Sequence, residues 1–146
     1  MKTNLKSFQP VVSRSSVEVR YAETDQMGVV HHAVYPVYFE QGRIDWLRIV
    51  GMHYQKMEDN GIMLPLHKLS VDFKKPAKFG DVLTVTTILK KMPSASINFN
   101  YQIHNQDQDL LTEGETVLVF VDKTTRKPMR CPEEVMNLIL KATTKD

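Results

Sequence analysis

The residues with the clearest chemical potential in this 146-residue chain lie between Tyr21 and Tyr35. Asp25 stands on a predicted turn that ends at Gly28, with Asp and Gly at positions that such turns favour. A long helix is predicted to begin just after it, so free backbone N–H groups and the positive end of the helix dipole lie nearby. A carboxylate beside such donors suits acyl transfer, because it can act as a base or nucleophile while the donors stabilise an oxyanion. The alternative is that Asp25 only supports its turn through a side-chain hydrogen bond.

Other reactive residue types carry weaker signals. His31 and His32 are adjacent, and adjacent helix positions do not face one metal ion as positions i and i+4 do. Cys131 is the single cysteine, which excludes an intrachain disulfide and a multi-cysteine metal site. The chain contains no Gly-rich phosphate loop and no Gly-x-Ser-x-Gly motif. We therefore expect no metal site and an unreactive thiol.

The composition is that of an ordinary globular protein. Charged residues make up 25% of the chain, the apolar set makes up 42%, and the net charge is only +2. A nucleic-acid-binding domain usually carries a stronger basic excess. No apolar run approaches the roughly 18 residues of a membrane span, and the N-terminus has no apolar signal core. We expect a cytoplasmic protein with no nucleic-acid partner and no membrane span.

Periodicity predicts the elements that position the Asp25 segment. Residues 1–16 show little periodicity and are expected to form an extended arm, with residues 17–146 forming a single domain. Apolar residues at spacings of three and four predict a long helix from about Ala33 to Val50, with Pro36 in its first turn. Gly42, within the apolar stripe, predicts a close approach to a sheet. Five strands are expected, at Val17–Tyr21, Leu69–Phe73, Val82–Leu89, Ile97–Ile103 and Thr112–Val121, with further helices at His53–Asn60 and Glu133–Lys141.

This element order predicts an α+β fold, in which the long central helix packs on one face of a five-stranded antiparallel sheet. In the last predicted strand, Val117, Val119 and Val121 point away from the face that carries Leu118 and Phe120. Both faces are therefore expected to be apolar there. An uncovered apolar sheet face predicts a partner, most simply a second copy of the chain.

The Tyr21–Tyr35 segment resembles the signature of hotdog-fold acyl-CoA thioesterases of the 4-hydroxybenzoyl-CoA thioesterase-like family. The matching residues are Tyr21, Glu23, Thr24-Asp25, Gly28-Val29-Val30, His31-His32 and Tyr35. A second, supporting similarity covers Ser70–Phe73, Lys74-Lys75-Pro76-Ala77 and Asp81-Val82-Leu83. The resemblance extends from about Val17 to Met129 and implies the hotdog fold.

The resemblance also implies roles for individual residues. It implies that Asp25 acts as nucleophile or as general base on water, a choice that the sequence leaves open. It implies that the backbone N–H of His32 polarises the thioester carbonyl and that Gly28 lets the turn approach the thioester. Substrate contacts are expected at Gly28, Val30, His31 and Tyr35. The chain departs from many relatives at His31, where they have Tyr, at Gly80, where they have Asp, and at Pro36.

A lysine-rich segment suits the phosphates of coenzyme A. Between Lys68 and Lys91 the sequence carries six lysines against two acidic residues, a local balance of +4. We expect Lys74 and Lys75 near the phosphates, which lysine binds as a point charge. The alternative is a solvated strand edge on which lysines prevent aggregation.

The resemblance further implies a homodimer or homotetramer with the site at a subunit interface, acting on acyl-CoA without a metal or organic cofactor. Two other functions stay open. A dehydratase or hydratase of the same fold would use His31 or His32 as its base, so that Asp25 would only support it. A module that binds acyl-CoA without turnover would release no thiol, and the fold alone does not separate these cases.

Overall fold

One long helix packs against an antiparallel sheet in the computed structural model, which describes residues 8–143. Residues 1–7 of the expected arm and residues 144–146 lie outside the described residues. The elements in chain order are β1 (Val11–Glu18), α1 (Tyr35–Ile49), α2 (Tyr54–Asp59), β2 (Ile62–Met63), β3 (Leu66–Phe73), β4 (Val82–Leu89), β5 (Ser96–His104), β6 (Leu110–Val119), β7 (Val121–Asp122) and α3 (Glu133–Thr143). The main sheet has the order β1-β4-β5-β6-β3, and β2 pairs with β7 separately. The predicted α+β arrangement is confirmed.

Helix α1 lies on the inner face of the sheet because its apolar stripe is buried there. Pro36 stands in its first turn, where the missing N–H costs no hydrogen bond. The Trp46 indole is fully buried and donates a 2.9 Å hydrogen bond to the carbonyl of Val11. The helix is thereby anchored to β1 by a polar contact as well as by packing.

Two glycines allow the helix to approach the sheet closely. A Cβ at Gly42 would collide with Oγ1 of Thr87 on β4, which confirms the expected close approach. A Cβ at Gly114 on β6 would collide with the ring of Phe39. Phe39 instead stacks on Tyr101, with ring centroids 4.3 Å apart and planes inclined by 13°. The middle of α1, from Phe39 to Gly42, is therefore held tightly over the sheet.

The first strand begins earlier than its hydrophobic pattern indicates. β1 runs from Val11 to Glu18, so part of the expected arm is strand, and the residues from Tyr21 form a short 3₁₀ turn. Ser13 and Ser15 alternate with exposed residues and are buried against the helix. Because the residues at these inward positions are small and polar, the alternation of apolar and polar residues does not indicate a strand here. Ser15 Oγ donates to the Asp45 carboxylate of α1 at 2.6 Å.

The outer sheet face is more polar than predicted. Val117 and Val119 do lie on it, but both are only half-buried, and Val121 belongs to the separate strand β7. Their neighbours across the ladder include Asn98 and Lys68. A concavity of about 320 Å³ on this side of the sheet holds none of the predicted site residues. Across residues 8–143, none of the helices is long and apolar enough to cross a membrane.

Candidate functional site

Asp25 lies on a tight turn that is closed by its own backbone and side chain. The Gly28 N–H donates to the Asp25 carbonyl at 3.0 Å, and the Asp25 N–H donates to the Val29 carbonyl at 2.8 Å. Oδ1 of Asp25 accepts the N–H groups of Met27 at 2.8 Å and Val29 at 3.4 Å. Gly28 has φ +80° with open space around it, so the turn requires its backbone conformation, not its small size. The turn-supporting hydrogen bond is therefore present, and it leaves Oδ2 of Asp25 without a partner in the described part of the chain.

His31 and His32 stand where the 3₁₀ turn that precedes α1 begins. The N–H of Ala33 donates to Nδ1 of His31 at 3.1 Å, so the His31 side chain caps the turn. The two imidazoles stack with centroids 4.3 Å apart. The backbone N–H of His32 finds no acceptor among residues 8–143, as expected for the first residue of a helical turn. This amide is free to bind an oxygen atom of a ligand.

His32 lines a cavity of about 230 Å³ at the start of α1. The cavity is bounded by Val30, His32, Tyr35, Phe73, Lys74, Lys75 and Pro76. Five of the residues predicted from the sequence thus come together here. Three others, Asp25, Gly28 and His31, lie on the adjoining turn and do not line the cavity.

Backbone hydrogen bonds hold the Asp25 turn against one wall of the cavity. The Val30 N–H donates to the Ala77 carbonyl at 2.9 Å, directly after the cavity residue Pro76. Val29 pairs with Lys78, and Thr24 pairs with Val30. The turn and the segment that follows β3 therefore form one small ladder.

Two aromatic rings form the apolar part of the cavity. Tyr35 is buried, and its ring meets that of Phe73 edge to face at a centroid distance of 5.1 Å. Burial raises the pKa of Tyr35, so its hydroxyl stays protonated at neutral pH. The Ala77 N–H points at the Tyr35 oxygen at 3.4 Å, which fixes the ring. Phe73 was not predicted as a site residue, because only its place in the supporting similarity pointed to it.

Glu23 connects the Asp25 loop to the helix. Its Oε1 accepts the Tyr38 hydroxyl at 2.9 Å and the Arg20 N–H at 3.0 Å, and its Oε2 lies 3.1 Å from the Arg20 guanidinium. The Glu23 carbonyl also accepts the His31 N–H at 2.9 Å. Burial alone would raise the pKa of Glu23, but the hydrogen bonds from Arg20 and Tyr38 outweigh it and lower the pKa. The sequence alone does not predict this link, because Tyr38 fits the apolar stripe of the helix and nothing marks its hydroxyl as a partner of Glu23.

The two lysines of the cavity already have acidic neighbours. Lys74 Nζ lies 3.0 Å from Asp72 and 3.6 Å from Glu113, while Lys75 Nζ lies 4.0 Å from Asp109. The hydrogen bond and charge of Asp72 raise the pKa of Lys74, which keeps this amine charged. A phosphate at these lysines must compete with the carboxylates. All these groups are at least partly exposed, so the pairs are weak.

Comparison with known proteins identifies the family. The family model of the thioesterase-like superfamily matches residues 19–139. YneP of Bacillus subtilis strain 168 is 35% identical over 119 residues, which are 82% of this chain and 86% of YneP. The acyl-CoA thioester hydrolase YbgC of Escherichia coli O6:H1 is 32% identical over 123 residues, which are 84% of this chain and 92% of YbgC.

Solved structures give the same result. The crystal structure of DHNA-CoA thioesterase from Staphylococcus aureus is 33% identical, matches 89% of each chain and has a TM-score of 0.84. This similarity confirms the predicted hotdog fold. This chain belongs to the thioesterase-like superfamily, and its relatives include acyl-CoA thioester hydrolases.

Proposed function

We propose that this protein hydrolyses an acyl-CoA thioester to a free acid and CoA, with Asp25 as the reactive carboxylate. The supporting observation is the arrangement of the Asp25 turn. One carboxylate oxygen is fixed by the turn's own N–H groups, and the turn is hydrogen bonded to the segment that follows cavity residue Pro76. His32 lines the same cavity, and its backbone N–H, which has no acceptor among residues 8–143, suits the oxyanion that forms at the thioester carbonyl.

Two routes are chemically open to Asp25. As general base, it takes a proton from water while the water oxygen attacks the carbonyl carbon, and the His32 N–H binds the resulting oxyanion. The C–S bond then breaks, and the CoA sulfur leaves with the proton that Asp25 had accepted. As nucleophile, Asp25 attacks the carbonyl itself and expels the CoA thiolate, and water then hydrolyses the mixed anhydride. Label found in Asp25 after a single turnover in ¹⁸O-labelled water identifies the nucleophilic route, because only an anhydride that water opens at the Asp25 carbonyl leaves the label there.

The remaining contacts follow from the cavity walls. The acyl group packs against Tyr35 and Phe73, and Val30 and His32 complete this wall, with His31 on the adjoining turn. The CoA phosphates lie on the side of Lys74 and Lys75. We assign no metal or organic cofactor a part in this reaction. The cytoplasmic location expected from the sequence stays a prediction.

We also propose that the working unit is a homodimer or homotetramer. Leu66, Leu69 and Phe73 point from edge strand β3 toward the helix side of the sheet, yet they are 47%, 38% and 51% exposed. Exposed apolar side chains beside an unpaired strand edge favour pairing with another chain. Because Phe73 also lines the cavity, a second subunit on this edge adds residues to the site.

The test is a thiol-release assay on a panel of acyl-CoA esters, with the molar mass measured by light scattering. Asp25→Asn is expected to lower turnover by about 10²–10⁴-fold, since it removes the general base or nucleophile. Asp107→Asn changes an exposed aspartate in the loop between β5 and β6 and serves as the matched control. Wild-type turnover in Asp25→Asn contradicts the mechanism. Tight binding of the esters with no thiol release favours the non-catalytic binding module.

A further inference from the structure

Two large aromatic side chains are exposed beside the Asp25 turn and outside the cavity. Tyr21 is 77% exposed and Phe79 is 62% exposed. Their rings meet edge to face, with centroids 5.7 Å apart and planes inclined by 82°. We call this pair the aromatic patch. Paired aromatic rings left in water beside a candidate site mark a binding surface.

The aromatic patch adjoins both parts of the proposed site. Tyr21 leads into the Asp25 turn, and its carbonyl accepts the Thr24 N–H at 3.0 Å. Phe79 follows the cavity residue Pro76 by three positions, so the chain between them spans at most about 11 Å. A ligand that leaves the cavity along this segment reaches the aromatic patch.

Lys78 adds an available positive charge. It precedes Phe79 and pairs through its backbone with Val29 of the Asp25 turn. Among the ion pairs of residues 8–143, Lys78 takes part in none, whereas Lys74 and Lys75 each have a carboxylate partner. An anion at Lys78 therefore displaces no partner in this region.

We propose that the aromatic patch and Lys78 bind the adenosine of CoA and one phosphate next to it, while Lys74 and Lys75 face the other phosphates; this inference rests on the proposed function. The cavity of about 230 Å³ is the proposed place of the acyl group, and neither ring of the aromatic patch lines it, so we place the nucleotide end on the surface beside the cavity. The nucleotide end combines a flat aromatic base with anionic phosphates. The base suits the exposed rings, and the neighbouring phosphate suits Lys78.

The experiment compares one acyl group carried by CoA with the same acyl group carried by pantetheine, which lacks the nucleotide. The readout is the ratio of kcat/KM for the two thioesters. Phe79→Ala is expected to lower this ratio by about 5- to 50-fold, because base stacking is lost. Lys78→Gln is expected to lower it too, and to weaken its dependence on salt. Leu140→Ala and Lys56→Gln, exposed residues on α3 and α2, are the matched controls.

The outcomes separate this inference from the proposed function. An unchanged ratio in both Phe79→Ala and Lys78→Gln overturns the inference, whatever the absolute rates. An unchanged ratio together with a lower molar mass for Phe79→Ala means that the aromatic patch joins subunits instead. If the wild-type protein cleaves neither thioester, the proposed function fails. Calorimetry with CoA alone then tests the inference. Weaker binding of CoA by Phe79→Ala than by the wild type supports it, whereas equal binding by both proteins, or no binding by the wild type, overturns it.

Discussion

The hydroxyl of Tyr38 donates a 2.9 Å hydrogen bond to the carboxylate of Glu23, and this bond ties helix α1 to the loop that leads into Asp25. The same glutamate accepts the His31 N–H through its carbonyl. Glu23 thus contacts both the carboxylate-bearing loop and the start of the helix. The relative position of Asp25 and the His32 amide depends on it.

Removing the Tyr38 hydroxyl is expected to destabilise the protein. Tyr38→Phe leaves the buried ring in place but removes a hydrogen bond to a charged group, at a cost of about 1.5–3 kcal/mol in the free energy of unfolding. Urea denaturation at neutral pH measures it. Tyr21→Phe, which removes an exposed hydroxyl, is the control and should change stability little. Equal stability of Tyr38→Phe and the wild type would contradict the assigned bond.

The lowered pKa of Glu23 predicts a pH dependence with a definite sign. Because this pKa lies below the ordinary value of 4.5, the folded state favours the charged form, and the contribution to stability is complete above that value. It is lost as the pH falls from about 4.5 through the lowered pKa. Urea curves between pH 7 and pH 3 should therefore show the gap between wild type and Glu23→Gln closing toward acid. A gap that stays constant over this range contradicts the prediction.

Local sequence signals predicted α1 well. The features that the sequence did not predict depend on contacts between residues far apart in the chain. The apolar stripe, Pro36 and Gly51 all lie within or next to the helix, so local sequence specifies its limits. Both predicted ends therefore fall within two residues of the observed ones. β1 was misplaced because its inward positions Ser13 and Ser15 are polar, and their burial depends on Asp45 and the helix above them.

The same division applies to the candidate site. The Asp25 turn was predictable because Asp and Gly three positions apart specify it locally. The contact of Tyr35 with Phe73 joins residues on different elements and exists only after the helix packs on the sheet. The pairing of Lys74 with Glu113 could not be predicted either, since Glu113 lies on the neighbouring strand β6.

Gly42 offers a test of the close approach between helix and sheet. Gly42→Ala is expected to destabilise the protein by about 1–3 kcal/mol through overlap with Thr87, although alanine favours helix by about 1 kcal/mol. Thr87→Ala removes the obstructing Oγ1, which has no hydrogen-bond partner in the described region. The double variant should therefore recover stability relative to Gly42→Ala alone. Additive effects of the two substitutions would show that Thr87 is not the obstacle.

His31 offers a test between the proposed mechanism, in which Asp25 reacts, and a mechanism with a histidine as the base, as a dehydratase or hydratase of the same fold would use. In the structure its Nδ1 accepts the Ala33 N–H at 3.1 Å, a capping role that an asparagine side chain can also perform. His31→Ala is expected to cost about 0.5–2 kcal/mol in the free energy of unfolding, and His31→Asn is expected to restore most of it.

Turnover of the His31 variants gives the functional answer. If His31 only caps the turn, His31→Asn retains thioester hydrolysis within a few-fold, because the backbone of His32 keeps its position. If an imidazole at this position is the catalytic base, the same variant folds normally but loses about 10²–10⁴-fold in rate. Normal stability combined with such a loss would move the reactive group from Asp25 to His31. Since asparagine caps but does not take up a proton, this one substitution separates the structural role from the chemical one.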